Sequence, residues 1–260
     1  MRLPQLVVAE LSIVVLSIYA SYTVALATPT VNAKEKLQVK YFNLRGAAEL
    51  SRVLLAIGEE SYNDIRYTFD PQTFKSEDFD SAKEAGDLIT NLNRAPVLVT
   101  DDGLTIGQSR AMERFLAKRF GLMGSTAGEE ALIDCVTEHC RDVKDAAMRK
   151  GFSAFSRDKT EEEKLKARNE WFNVEMPTFL GKIDQMVEET SGVEKGYAIG
   201  NSRSYADVSI WYLLRECSPA DLDDTTKASE KCETLNAIAD AVSTDPRVIK
   251  WLTERPATAF

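Results

Sequence analysis

The sequence holds a single histidine among 260 residues, no Cys-x-x-Cys pair, no run of Lys and Arg longer than a few residues, and no Asn-x-Ser/Thr sequon. One imidazole cannot supply the mixed His and Cys ligand sets that zinc sites use, so no metal is expected. A nucleic-acid partner is excluded on charge. The formal net charge is −9, whereas neutralising phosphates calls for a basic patch. The missing sequon says nothing for or against secretion. Cysteine is sparse: Cys135, Cys140, Cys217 and Cys232. Four could form two disulfides in an oxidising compartment. Cys135 and Cys140, however, are five apart on a predicted helix, where side chains do not face each other. All four are read as small buried hydrophobes.

Long apolar runs are missing too, with one exception. Residues 11–27, LSIVVLSIYASYTVALA, carry no charge and end on Ala25-Leu26-Ala27. That pattern, behind Arg2, reads as a signal peptide cleaved after Ala27. An uncleaved membrane anchor is the alternative, because only Glu10 interrupts residues 3–27. A buried helix of the fold fits less well, since the segment precedes the first strand. The expected destination is the secretory pathway, either the endoplasmic reticulum lumen or the exterior, with membrane anchoring or organelle targeting as alternatives. A short polar linker follows over 28–36.

From there the patterning changes. Leu37, Val39 and Tyr41 alternate with polar residues as in a strand. Leu50, Val53, Leu54 and Ile57 then recur at helical spacing, closed by Gly58 as C-cap. A second strand is expected over Asp64–Phe69, and weakly helical or irregular chain over 70–94. Pro96–Val99 and Leu104–Ile106 flank Asp101-Asp102-Gly103 as a hairpin, and a helix follows with Met112, Phe115 and Leu116 on one face. This is an α/β unit with a mixed sheet over 37–120.

Residues 121–128, GLMGSTAG, read as a glycine-rich linker, and everything in 129–260 is periodic as helix. Leu132, Cys135, Val136, His139, Cys140 and Val143 are assigned to the apolar face of the first long helix, making His139 a core histidine. Asp134, Glu138, Arg141, Asp142 and Asp145 form its polar face. Phe172, Met176, Phe179, Ile183 and Val187 make a second stripe, in which Pro177 should kink or break the helix. Ile210, Leu213, Leu214 and Cys217 give a third, and Leu235, Ile238, Ala239 and Val242 a fourth.

Four segments share a further property. Lys40-Tyr-Phe-Asn-Leu-Arg-Gly-Ala-Ala-Glu49 resembles the opening strand and turn of sigma-class glutathione transferases. Ala95-Pro-Val-Leu98 followed by Gln108-Ser109 resembles their second signature. Ile199-Gly-Asn-Ser-Arg-Ser-Tyr-Ala-Asp207 resembles their helical capping box, and Arg255-Pro-Ala-Thr258 their C-terminal tail. The resemblance runs from residue 37 to 260. It implies a thioredoxin-like domain with a mixed sheet joined to a helical domain, usually in a homodimer, with glutathione as co-substrate and a small electrophile as second substrate. It implies conjugation, a detoxification chemistry. A glutathione-dependent isomerase of the prostaglandin synthase type and a non-catalytic scaffold, as in related lens crystallins, stand as alternatives.

Carried over residue by residue, the resemblance makes Tyr41 the donor that stabilises the glutathione thiolate; packing on the sheet is the other role open to that ring. It makes Ala95-Pro96 a cis peptide whose preceding backbone pairs with the tripeptide, against a trans proline that merely starts a strand. Gln108 and Ser109 would hold the γ-glutamyl carboxylate at a helix N-terminus, or simply cap that helix. Lys83, with Phe79 one turn before it, matches a glutathione-contacting lysine and tryptophan. Asp142 matches an aspartate that reaches across the dimer, or else belongs to a solvated acidic face. Ser204 and Asp207 have capping-box spacing and are assigned to folding. Two departures stand out. Ala47 occupies the usual place of an arginine beside the thiol, and Asn91-Leu-Asn-Arg94 replaces a Pro-Phe-Gly stretch.

The leader gives the first testable outcome. N-terminal sequencing of the mature protein should begin near Thr28; a start at Met1 in a soluble cytosolic protein would refute it.

Overall fold

The computed structural model describes residues 36–258 except 71, 74, 154–155 and 192–195. The leader and all but the last residue of the 28–36 linker lie outside the described residues.

Strand β1 (Leu37–Phe42) buries Leu37 and Val39 on one face. A 3₁₀ turn over Gly46–Ala48 leads into α1 (Glu49–Ile57). Strand β2 runs over Tyr62–Tyr67, two residues earlier than the alternation predicts. Parallel pairing with β1, Leu37 to Tyr62 through Phe42 to Tyr67, sets its limits, and Phe69 lies beyond the ladder. Strands β3 (Val97–Val99) and β4 (Thr105–Gly107) continue antiparallel, giving a four-stranded mixed sheet in the order β2-β1-β3-β4. The chain between 70 and 94 contains a formed helix, α2 (Glu77–Glu84), started by Ser76 and an acidic first turn, and a 3₁₀ turn at Ile89–Asn91. Phe79 and Ala82 of α2 pack with Tyr67, Leu88 and Val97 on one side of the sheet. Helices α1 and α3 (Ser109–Arg119) cover the other.

Gly58 does cap α1, though not through a left-handed backbone. Its φ is −75°, and the positive φ of 49° falls on Glu59. Glycine is needed there because a Cβ would lie 2.5 Å from the Phe120 ring.

The rest of the described chain is helical. Helix α4 (Ala127–Lys150) is capped by Thr126, whose hydroxyl accepts from the Glu129 amide at 3.1 Å. It thus begins inside the stretch read as linker, and Leu122 and Met123 there are buried. Its apolar stripe is Ile133, Val136, Cys140, Val143 and Ala146. That corrects the expected face: Cys135 and His139 are exposed, at the side of the stripe and not on it. His139 is therefore no core histidine, and Cys135 no buried hydrophobe. All four cysteines are free thiols.

Helix α5 (Glu161–Glu170) runs through a π turn at Trp171–Glu175 into α6 (Met176–Ser191). The expected break at Pro177 is absent. Proline has no N–H to give and needs room at the carbonyl four residues back, and the wider π turn just before it accommodates both needs. Phe179 is 38% exposed and Leu180 takes its place in the core. Helix α7 (Tyr205–Trp211) starts at the expected capping box. The Asp207 carboxylate accepts from the Ser204 amide at 2.8 Å and the Ala198 amide at 2.9 Å. Three helices follow: α8 (Leu222–Ala228), α9 (Glu233–Ser243) and α10 (Pro246–Glu254).

Candidate active site

The site begins where β1 ends. The Tyr41 ring is half-buried and its hydroxyl accepts a hydrogen bond from the Ala47 amide at 3.1 Å. The turn between them requires glycine at 46. The φ there is +41°, and a Cβ would lie 2.6 Å from the Tyr41 hydroxyl. The Gly46 carbonyl in turn accepts from the Tyr212 hydroxyl at 3.2 Å, which ties the turn to the helical half. From below, the fully buried Arg52 donates to the Leu44 carbonyl at 2.7 Å and to Asp64 at 3.2 Å, with its guanidinium 5.9 Å from the Tyr41 ring centre. With one lone pair engaged by Ala47, the Tyr41 O–H still has its proton to donate. A hydroxyl so arranged is a donor for an anion.

The second part of the site is built around Asn91, which the sequence marks only as the start of a departure from the family pattern, with no role given to it. The Ala95–Pro96 bond is cis, as the resemblance implies. The buried Asn91 amide donates to the Pro96 carbonyl at 2.9 Å, while its oxygen accepts from the Gln108 amide at 3.1 Å. Gln108 adopts φ 66° and ψ 116°, an unusual conformation for a residue with a side chain. Its side chain makes no capping hydrogen bond, so it does not cap α3 in the ordinary way. One asparagine thus holds the proline loop and Gln108 in fixed relation, and Ser109 follows at the helix N-terminus, where free N–H groups suit a carboxylate.

A cavity of about 210 Å³ opens between these parts and the helices, with Gly46, Ala47, Ser109, Arg110, Lys144 and Tyr212 in its wall. Tyr41 lies immediately behind Gly46. Arginine is missing at 47, and the cations come from elsewhere: Arg110 pairs with Glu138 at 3.3 Å, Arg141 with Asp145 at 3.2 Å, and the Lys144 ammonium stands 4.8 Å over the Tyr212 ring. Glu113, also in the wall, is buried and takes the Tyr205 hydroxyl; burial pushes its carboxyl pKa up.

Of the expected residues only Ser109 lines this cavity, Gln108 lines a neighbouring one that shares Arg110 and Arg141, and Lys83 and Asp142 line neither. Lys83 sits on α2, ion-paired with Asp80 and 4.9 Å over the Phe79 ring. Phe79 itself packs on Phe42 and Tyr67, so its ring serves the sheet. Asp142 projects from the exposed side of α4, its carboxylate 3.9 Å from His139 Nδ1. The residues missed by sequence reasoning were Arg52, Asn91 and Tyr212. For Arg52 a signal existed, a charge flanked by Leu50, Val53 and Leu54 on an apolar helix face. Nothing local gives the other two a role.

Sheet, cis-proline loop and helical half define a thioredoxin-like domain joined to an all-helical one. Residues 37–118 match the N-terminal domain of glutathione S-transferases and residues 146–255 their C-terminal domain. Glutathione S-transferase 3 of Caenorhabditis elegans is 29% identical over 86% of this chain and 98% of its own length. Glutathione S-transferase S1 of Drosophila melanogaster is 30% identical, with 86% and 81% covered. Hematopoietic prostaglandin D synthase of Gallus gallus is 29% identical, with 86% and 98% covered. Among solved structures, a monomeric glutathione S-transferase of the hookworm Necator americanus superimposes with a TM-score of 0.70 at 27% identity, covering 86% of this chain and 100% of the other. The chain belongs to the glutathione S-transferase family, transferases with glutathione as co-substrate.

Asn91→Ala tests the second part of the site. It deletes one buried and one partly buried hydrogen bond and leaves the Pro96 carbonyl and the Gln108 amide without them. Stability should fall by about 1–3 kcal/mol, and glutathione affinity, read by calorimetry on protein still folded, should fall with it. An unchanged affinity would show that Gln108 holds its conformation without Asn91.

Proposed function

We propose that the protein joins the thiolate of glutathione to small electrophiles, with Tyr41 as the donor that stabilises the sulfur anion. One observation carries this reading: the Tyr41 hydroxyl is fixed by the Ala47 amide beside Gly46, both residues of the cavity wall, and keeps its own proton to donate. A free thiol has a pKa of about 8.5 and is mostly protonated at neutral pH, while only the thiolate attacks well. Lowering that pKa by about two units takes roughly 2.7 kcal/mol of preference for the anion. The proton leaves to solvent, the sulfur lone pair forms the new bond to carbon, and the electrophile's leaving group departs or its π bond takes up the electron pair. In this reading Ala95 and Pro96 present backbone to the tripeptide, Gln108 and Ser109 take its γ-glutamyl carboxylate, and Lys83 lies at the far end. No step calls for a metal.

The prostaglandin D synthase relative supports a second reading, a glutathione-dependent isomerase of the prostaglandin synthase type that uses the same thiolate. Both readings need Tyr41, whereas a scaffold would not. Tyr41→Phe keeps the ring and removes a hydrogen bond to a charged group, worth about 1.5–3 kcal/mol. Conjugation of a generic aromatic electrophile should slow by about 10- to 150-fold at neutral pH. The apparent pKa of bound thiol, followed by ultraviolet absorbance, should climb towards its free value, with little change in glutathione affinity. Wild-type rate and a low thiol pKa in the variant would make Tyr41 structural.

We propose also that the leader over 1–27 directs the chain to the secretory pathway, and that two chains pair near α4, bringing Asp142 to the neighbouring subunit's glutathione. The exposed acidic positions Glu138 and Asp142 support this, although the hookworm relative is described as monomeric. Sedimentation at micromolar concentration should give twice the chain mass. A single-chain species would remove the cross-subunit role of Asp142.

A further inference from the structure

A second cavity, of about 390 Å³, lies beside the first but inside the helical half. Its wall is mostly apolar, with Ala147, Phe152, Trp171, Phe172 and Met176 among the contributors. Lys144, Met148 and Leu213 line both cavities and so stand where they adjoin. Of these three only Lys144 is charged, and its circumstances are unusual. Arg110 and Arg141, the other cations of the first cavity, each have a carboxylate partner. Among the described residues Lys144 has none. Its ammonium meets the face of Tyr212 and the thiol of Cys217, neither of which is a counter-ion. The nearby acids are already engaged, Glu113 by the Tyr205 hydroxyl and Asp221 by Arg168. A half-buried ammonium without a carboxylate, at the mouth of an apolar chamber, favours a ligand that brings its own negative charge.

We propose that Lys144 sets the class of second substrate: an apolar molecule bearing a carboxylate or similar anionic group, whose hydrocarbon body fills the chamber lined by Phe152 and Phe172 and whose charge rests on Lys144. The Tyr212 ring that carries the ammonium also bonds through its hydroxyl to Gly46. An anion on Lys144 therefore lies next to the turn that carries Tyr41. Ala47, in the wall of the first cavity, adds only a methyl group there and no competing cation. This inference rests on the proposed conjugation for the word substrate, but the binding preference stands without it.

Dodecanoate and dodecanol make the probe pair, with equal chains and different head groups. By calorimetry in the absence of glutathione, the wild-type protein should bind the carboxylate at least about 10-fold tighter than the alcohol, the scale of one charge-assisted hydrogen bond. Lys144→Met should bring the two within about twofold, and Lys144→Arg should keep the preference. Lys144→Gln replaces the Met variant if circular dichroism shows that it does not fold. Turnover gives the parallel comparison. With 4-chloro-3-nitrobenzoate and its methyl ester the thiolate forms the ring C–S bond and chloride leaves with the C–Cl pair, and Lys144→Met should raise KM for the acid alone. Equal binding of acid and alcohol to wild type, a preference that survives Lys144→Met, or a raised thiol pKa in that variant would overturn the inference. The last result would place Lys144 on the thiolate. Loss of turnover with the binding preference intact would instead count against the proposed conjugation.

Discussion

The carboxylate of Glu49 is the point on which the rest of the structure depends. It is 1% exposed at the first residue of α1, where the helix dipole favours a negative charge. The Trp251 indole donates to it at 2.9 Å and Arg255 at 2.8 Å, and Arg52 lies 3.6 Å from its other oxygen. Arg255 reaches on to Glu216 at 2.8 Å, just past the end of α7, and Arg45 approaches the same carboxylate at 3.8 Å. Helix α1, the C-terminal helix and the end of α7 are thereby clamped at one buried charge cluster. An ion placed so deep is tolerable only while every partner stays, since removing one leaves an uncompensated charge costing about 3–5 kcal/mol.

That cluster explains why the Tyr41 turn can be so finely shaped. Arg52 is shared between Glu49, Asp64 of β2 and the Leu44 carbonyl, so the loop from Tyr41 to Ala47 is held by a side chain that cannot itself move. The Tyr212 hydroxyl on Gly46 adds a tie from the helical half. Rigid support of this kind is what the proposed donor to sulfur needs, because a hydrogen bond weakens steeply with misalignment. The site is therefore a property of two domains together: the sheet supplies Tyr41 and the proline loop, and the helices supply Tyr212, Arg110 and Lys144.

Much of this was legible beforehand. The periods of the apolar residues gave the order of strands and helices, and short motifs with fixed spacing located Tyr41, the cis proline, Gln108–Ser109 and the Ser204–Asp207 box. Errors came where a period can be drawn along more than one line. On α4 the sets including 132, 135 and 139 and including 133, 136 and 140 are both apolar enough to pass, and packing against α7 selected the second. Pro177 was read as a kink or a break, and the helix runs on unbroken because of a π turn that the sequence does not announce. Gly58 was read correctly as a C-cap, but the reason for glycine is the ring of Phe120, sixty-two positions away by residue number.

The sequence by itself determined what depends on neighbours along the chain: helix and strand periods, capping pairs, turn glycines, the uncharged leader, and the motifs that identify the family. Tertiary structure alone decided which groups meet. The bridge from Asn91 to Pro96 and Gln108, the Tyr212 bond to Gly46, the pairing of Arg255 with Glu49 and Glu216, and the position of Lys144 between two cavities join residues from 5 to 206 positions apart. Local physics fixes backbone conformation within a few residues. Long-range contacts are chosen by how whole surfaces pack and by which buried charges can find a partner, and neither is written at a single position.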